Sequence, residues 1–192
     1  MAHESSIISI EPGYRPGFLA RCLDMHMTYY HPYNSWGLIF ETSLAKNFAD
    51  LIQRLNTNPR NQVWAAVQST PNDKPGNFTQ QILGTILLDS ESLQQPGTAQ
   101  IRGFIVDERA RSLGVGKRLL AAAMEFVEMQ GFDKVTLFTS KSQEASLYLY
   151  RKNGFVIVGD AEKVLWGVQM NELQLDWNRP AVSSRSDDAL DV

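Results

Sequence analysis

Residues 101–116 read IRGFIVDERARSLGVG, and the fold follows from how this stretch divides. Ile101, Gly103 and Ile105 alternate with Arg102, Phe104 and Val106, and the β-branched residues favour a strand. A glycine pair, Gly114 and Gly116, then opens GVGKRLLAAAMEFVEMQ. There Val115, Leu119, Ala122, Ala123 and Phe126 recur at helical spacing, and Leu120, Met124 and Val127 widen the apolar face. Gly131 is a natural stop for that helix. A helix N-terminus presents free N–H groups and the positive end of its dipole, so it attracts anions. Without side chains, Gly114 and Gly116 let a phosphate approach the backbone, and Arg109, Arg111, Lys117 and Arg118 add positive charge nearby. The stretch reads as a pyrophosphate cradle.

Two common nucleotide cradles do not fit. The dinucleotide fingerprint needs a small residue where this chain has Leu119. The phosphate loop of nucleotide hydrolases needs glycine at 111 and a hydroxyl at 118, where Arg111 and Arg118 stand. The pattern present is Arg111-x-x-Gly114-x-Gly116. It resembles the acyl-CoA pyrophosphate loop of the GNAT superfamily of N-acetyltransferases. A second segment, QEASLYLYRKNGF at residues 143–155, spaces Leu149-Tyr150-x-x-x-Gly154-Phe155 as in the same superfamily. The resemblance implies that Tyr150 protonates the departing CoA thiolate. It implies that Arg111, Ser112, Leu113, Gly114, Val115, Gly116 and Lys117 hold the pyrophosphate. Phe104, Ile105 and Val106 would flank the acyl group, with backbone N–H groups near Ile105 and Val106 polarising its carbonyl. The pantetheine arm would run past Gln143 and Ser146. Many members carry an asparagine near the start of that helix, where this chain offers Gln143 or Ser140.

Bulk properties agree with an ordinary globular enzyme. A chain of 192 residues, 43% hydrophobic, can bury a real core, and residues 1–177 are expected to form one domain. A net charge of −3 argues against a general nucleic-acid or membrane binder. One cysteine, Cys22, excludes an internal disulfide and fits a reducing compartment. No apolar run approaches a membrane span and no signal-like start is visible, so a cytoplasmic location is expected, with the nucleus as the other choice. The histidines and cysteine show no metal-ligand spacing, so no metal is expected.

In order, the pattern predicts a strand at 7–10, helices at 18–30 and 38–55, and a break at His31-Pro32-Tyr33-Asn34. Strands follow at 62–69 and 81–88, with a loop over 70–79 between them. The central strand and basic helix come next, then a strand at 134–139, a helix at 143–152, and strands at 155–158 and 165–175. The expected class is α/β (α+β). Resemblance makes it a mixed, strongly bent sheet flanked by helices, with splayed strands holding acyl-CoA. Residues 178–192 are polar and predicted to be a disordered tail.

The likeness runs over residues 14–175. Tyr14-Arg15-Pro16-Gly17, His26, Tyr29-Tyr30, Trp36-Gly37, Phe40-Glu41 and Trp166-Gly167 are similar to the branch that includes acetyltransferase domains fused to MarR-type regulators. No winged-helix segment is present here. The activity implied is transfer of an acetyl group from acetyl-CoA to a primary amine of a small molecule, by direct attack in a ternary complex. The acceptor is expected against the first two helices, at His26, Tyr30, Trp36 and Glu41, with Tyr29 and Tyr33 nearby. Glu41 is the first choice of general base; His26, Asp107 and a water chain are the others. A monomer or a homodimer would serve. A protein or peptide acetyltransferase and a non-catalytic acyl-CoA-binding protein are the competing readings.

Overall fold

The computed structural model describes residues 7–34, 36–72 and 77–181, without the side chains of Tyr33 and Asn34. Its elements run β1 (Ile7–Pro12), α1 (Phe18–Asn34), α2 (Leu38–Arg54), β2 (Gln62–Pro71), β3 (Phe78–Asp89) and β4 (Thr98–Val106). A single 3₁₀ turn (Glu108–Ala110), α3 (Val115–Met129), β5 (Lys134–Ser140), α4 (Glu144–Lys152), β6 (Val156–Leu165) and β7 (Val168–Asn178) complete it. Among the described residues the strands form one sheet in the order β1-β2-β3-β4-β5-β7-β6. Only β4 and β5 pair in parallel; all other neighbours are antiparallel.

Strict alternation along β2 builds a core on each face. Val63, Ala65 and Val67 join Phe18, Cys22, Met25, Phe48 and Leu51 of α1 and α2. Trp64 and Ala66 join Val115, Leu119, Leu120 and Ala123 of α3 on the other face, together with Leu147 and Tyr150 of α4. Full burial of a Leu or Phe side chain contributes about 1.5–3 kcal/mol, so each sandwich of sheet and helix holds firmly.

Four segments differ from the sequence expectation. Helix α1 passes through Pro32 and ends at Asn34 rather than near Tyr30. Proline's fixed φ suits a helix, and the Thr28 carbonyl that loses its donor belongs to an exposed residue water can reach. The β2–β3 hairpin is longer, with pairing that reaches Pro71 and Phe78. The expected break after Val158 is absent: β6 runs on to Leu165, and Trp166-Gly167 turns directly into β7. Nearly every β6 residue is exposed, so no inward face imprints an alternating pattern on its sequence. Finally, Asn178 pairs with Lys134, and the Arg179 guanidinium donates to the Phe132 carbonyl at 2.9 Å, so ordered chain passes the expected start of the tail. Residues 182–192 lie outside the described part.

One irregularity positions the site. Between the pairs Thr85–Ile105 and Leu87–Arg102, two β4 residues, Gly103 and Phe104, face the single β3 residue Ile86. Gly103 has φ +50°, and a Cβ there would lie 2.5 Å from Leu87 Cδ1 and 3.2 Å from the Phe48 ring. The bulge bends β4 just where the central seam opens. Gly103→Ala is expected to destabilise the fold by about 1–3 kcal/mol. Urea denaturation of parent and variant measures it.

Candidate active site

The parallel pairing of β4 with β5 covers only Thr98–Gln100 against Lys134–Thr136. Beyond those residues β4 continues to Val106 and β5 to Ser140 without pairing, each still bound on its outer edge to β3 or β7. The sheet therefore opens as a wedge in its middle. Along Ile101–Val106 the β4 backbone groups not spent on β3 face that wedge without a strand partner, which suits an extended ligand that can hydrogen-bond.

At the wide end stands the N-terminus of α3. Its first backbone bond runs from the Arg118 N–H to the Gly114 carbonyl, so the N–H groups of Val115, Gly116 and Lys117 have no helical acceptor. Gly114 is the N-cap, at φ 72°, and nothing lies within 4 Å of a Cβ built there. Residues 111–114 and Lys117 are exposed. The cradle is thus open, uncapped and electropositive. The surrounding cations are arranged differently from the sequence expectation. Arg109 is spent on Asp107 at 2.8 Å, and Arg118 reaches back to the Ile8 carbonyl at 3.0 Å. The Arg111 guanidinium lies 4.8 Å over the Tyr29 ring. Among the described residues Arg111, Lys117 and Arg118 form no ion pair, so these three and the bare helix end keep the loop positive.

At the narrow end the wedge widens into a cavity of about 280 Å³, walled by α1, α2, α4, both central strands and the β6–β7 hairpin. His26, Tyr30, Trp36, Phe104, Gln143, Ser146 and Tyr150 all line it. Tyr150 is buried between Phe104 and Phe155, at ring separations of 6.0 and 5.7 Å. Burial, with a smaller push from Tyr30, raises its phenol above the ordinary value, so it stays protonated. Burial likewise raises the Tyr30 phenol above its ordinary value.

A family model described as "Acetyltransferase (GNAT) family" matches residues 27–155, well over half of the chain. The chain belongs to the GNAT acetyltransferase family. Curated relatives include N-acetyltransferase family 8 member 3 of Rattus norvegicus, 38% identical over 75 residues, covering 39% of this chain and 33% of that protein. The Mus musculus protein of the same name is 36% identical over 70 residues, covering 36% of this chain and 31% of its own length. This chain therefore spans about a third of the curated relatives it matches. Solved structures share the fold. An Acinetobacter baylyi acetyltransferase superposes with TM-score 0.66 at 17% identity, covering 91% and 94% of the two chains. A Bacillus subtilis acetyltransferase solved with CoA gives 0.56 at 20% identity, covering 91% and 100%. A Bacillus anthracis acetyltransferase solved with acetyl coenzyme A gives 0.50 at 27% identity, covering 64% and 65%.

Within this GNAT chain the candidate bases separate. Glu41 is exposed and absent from the cavity wall, because its neighbour Phe40 takes the inward position on α2. The first-choice base is thus not brought to the site. Asp107 caps the 3₁₀ turn by accepting the Arg109 N–H at 2.9 Å, and it also pairs with Arg21. Hydrogen bonds from Arg109 hold its carboxyl far below the usual range, which makes it a poor base. His26 does reach the cavity: Nδ1–H donates to the Cys22 carbonyl at 2.7 Å and leaves Nε2 as the acceptor nitrogen. Tyr29 instead lines a separate hollow beside Arg111, and the Tyr33 side chain lies outside the described residues.

The cavity also has walls the sequence reading did not assign to it. Trp166, Met170 and Glu172 come from the β6–β7 hairpin, and Phe138 from β5. Trp166 has φ 52°, unusual for a bulky residue, and sits in the turn that folds over the cavity. An aromatic residue before glycine in a hairpin turn was the available signal. Among the described residues Glu172 is the one carboxylate on the wall and is paired with Lys163, while Arg102 is held by buried Asp89 at 3.1 Å.

Burial of His26 also makes a pH prediction. Desolvation lowers its pKa to about 4 from 6.5, so the folded protein keeps it neutral while the unfolded chain binds a proton first. Its contribution is complete above about pH 6.5 and is lost as pH falls toward 4, on the order of 3 kcal/mol in total. Urea unfolding between pH 7 and 4 should show that decline, and His26→Gln should flatten it. An equal slope in both proteins overturns the assignment.

Proposed function

We propose that this chain moves the acetyl group of acetyl-CoA onto the primary amine of a small molecule. The observation that supports the reading is the wedge: unpaired β4 backbone runs between the uncapped start of α3 and a cavity lined by Tyr150. Acetyl-CoA supplies the thioester. The N–H groups of Val115, Gly116 and Lys117 take its diphosphate, with Ser112, Leu113 and Arg111 shaping the loop. Backbone N–H groups near Ile105 and Val106 polarise the thioester carbonyl. The amine nitrogen bonds to the acetyl carbon as the C–S bond breaks, and the Tyr150 O–H gives its proton to the leaving sulfur. The same burial that strengthens the phenol's hold on its proton raises the proton affinity of a departing thiolate, so the two stay matched. His26, neutral at working pH, offers Nε2 as a hydrogen-bond acceptor for the incoming amine. Water returns the amine's surplus proton to Tyr150.

The aromatic wall on one side favours a small acceptor over a peptide. Trp36 and Trp166 meet at 4.7 Å between ring centroids and close one side of the cavity. Thiol release from acetyl-CoA should be measured across amines, amino acids, aminosugars and lysine peptides. Turnover with small amines and none with peptides is the expected result. Turnover confined to peptides means a protein acceptor. Acetyl-CoA binding without turnover on any acceptor means a binding protein.

A further inference from the structure

Residues 82–88 of β3 read ILGTILL, and Thr85 is the one polar side chain in that run. It is fully buried beside Cys22, on the face of the sheet that α1 and α2 cover. A hydroxyl there must find a partner, whereas valine would fill the same volume without that demand. The Thr85 O–H donates to the Gly103 carbonyl at 3.0 Å. The Cys22 sulfur lies 3.2 Å from the same hydroxyl oxygen. A hydroxyl has one proton, and a carbonyl oxygen accepts it better than sulfur does. Burial pushes the Cys22 thiol up to about 12, so it keeps its own proton and can donate to the Thr85 oxygen in turn.

Gly103 belongs to the bulge of β4. Because Gly103 and Phe104 together stand against Ile86, strand pairing constrains the peptide between them less than its neighbours. A side chain holds its carbonyl instead. A trans peptide is planar with its N–H opposite its C=O, so the same bond aims the Phe104 N–H away from Thr85. Phe104 is where the bulge meets the site. Its ring lines the main cavity and lies 6.0 Å from the ring of Tyr150. Contacts therefore run from a buried hydroxyl on β3, through one peptide of β4, to the ring beside the proposed acid. Thr85 does not line the main cavity, so any effect it has there passes through this peptide.

We propose that Thr85 is a positioning residue for acetyl transfer: its hydroxyl fixes the Gly103–Phe104 peptide in the wall of the wedge and so seats Phe104 against Tyr150. Without the hydroxyl the Gly103 carbonyl loses its donor, and the peptide turns to find another. The Phe104 N–H and ring turn with it. This rests on the reading of the wedge as the acetyl-CoA site and of Tyr150 as the acid.

The test compares two pairs of proteins that differ by a hydroxyl: the parent against Thr85→Val, and Thr85→Ser against Thr85→Ala. Each is isotope-labelled for NMR at the Gly103 carbonyl, the Phe104 amide and ring and the Tyr150 ring, and each is titrated with acetyl-CoA by calorimetry. In both pairs, loss of the hydroxyl should move the Gly103 carbonyl resonance upfield and displace the Phe104 and Tyr150 signals. It should also weaken acetyl-CoA binding about fivefold or more. Thr85→Ser should keep the parent's Phe104 and Tyr150 signals and bind within about twofold of the parent. A lower melting temperature with unchanged ring signals and unchanged affinity makes Thr85 a packing residue and overturns the proposal. So does a Thr85→Ser protein that behaves like Thr85→Ala, or failure of both hydroxyl-free variants to fold. A parent that shows the NMR response but binds no acetyl-CoA disproves the cofactor reading and leaves the hydroxyl's hold on the peptide standing.

Discussion

Gly114→Asp should abolish acetyl-CoA binding while leaving the protein folded. A Cβ at Gly114 meets no atom within 4 Å, so the side chain enters open space. The positive φ is a mild penalty, since aspartate is among the side chains that tolerate this region. An aspartate at this N-cap would itself accept the free N–H groups of α3 and sit on the positive end of its dipole, which stabilises the helix. For the same reason it would take the seat of the diphosphate and repel it. Binding of the parent is expected to be sub-millimolar, about −5 kcal/mol or better. Calorimetry on the variant should show at least a hundredfold loss, with its melting temperature close to the parent's. Gly114→Ala is the control: it adds backbone strain at least as large, without charge, and should lose far less. Unchanged affinity in the aspartate variant would place the diphosphate elsewhere.

Tyr150→Phe is expected to lower turnover with a working acceptor by at least tenfold, within the 10²–10⁴ range typical of general acid help. The ring contacts with Phe104 and Phe155 survive the change, and the hydroxyl makes no protein hydrogen bond among the described residues that its loss would break. Affinity for acetyl-CoA should therefore stay nearly constant. Leaving groups report on the role directly. A thioester analogue with a more acidic thiol needs less protonation, so the parent-to-variant ratio should shrink with it. Turnover within about twofold of the parent would make Tyr150 a packing residue.

The glycine turn before α3 and Tyr150 stand out in the sequence because their requirements are local. A glycine pair at a helix start and a tyrosine four residues before a glycine each lie within one turn or one helix, so spacing alone exposes them. The cavity was legible only in part. His26, Tyr30 and Trp36 reached the cavity because α1 and α2 show a helical period whose inward face can be counted. Glu41 was misplaced by one position on that wheel, where Phe40 points in. Trp166, Met170 and Glu172 depend on a hairpin folding over from the far end of the sheet. Its β6 strand is exposed on both faces, so the period that normally marks a strand is missing.

The wedge divides the sheet into two leaves, one of four strands and one of three, joined across the middle by only the Thr98–Gln100 seam. An extended ligand lying in the opening would act as a missing strand, bonding to both leaves and turning a hinge into a continuous plate. Stiffness should then propagate to elements the ligand never touches. Amide protons of β6 and β7 should exchange more slowly once the wedge is filled, as the outer leaf stops rocking against the inner one.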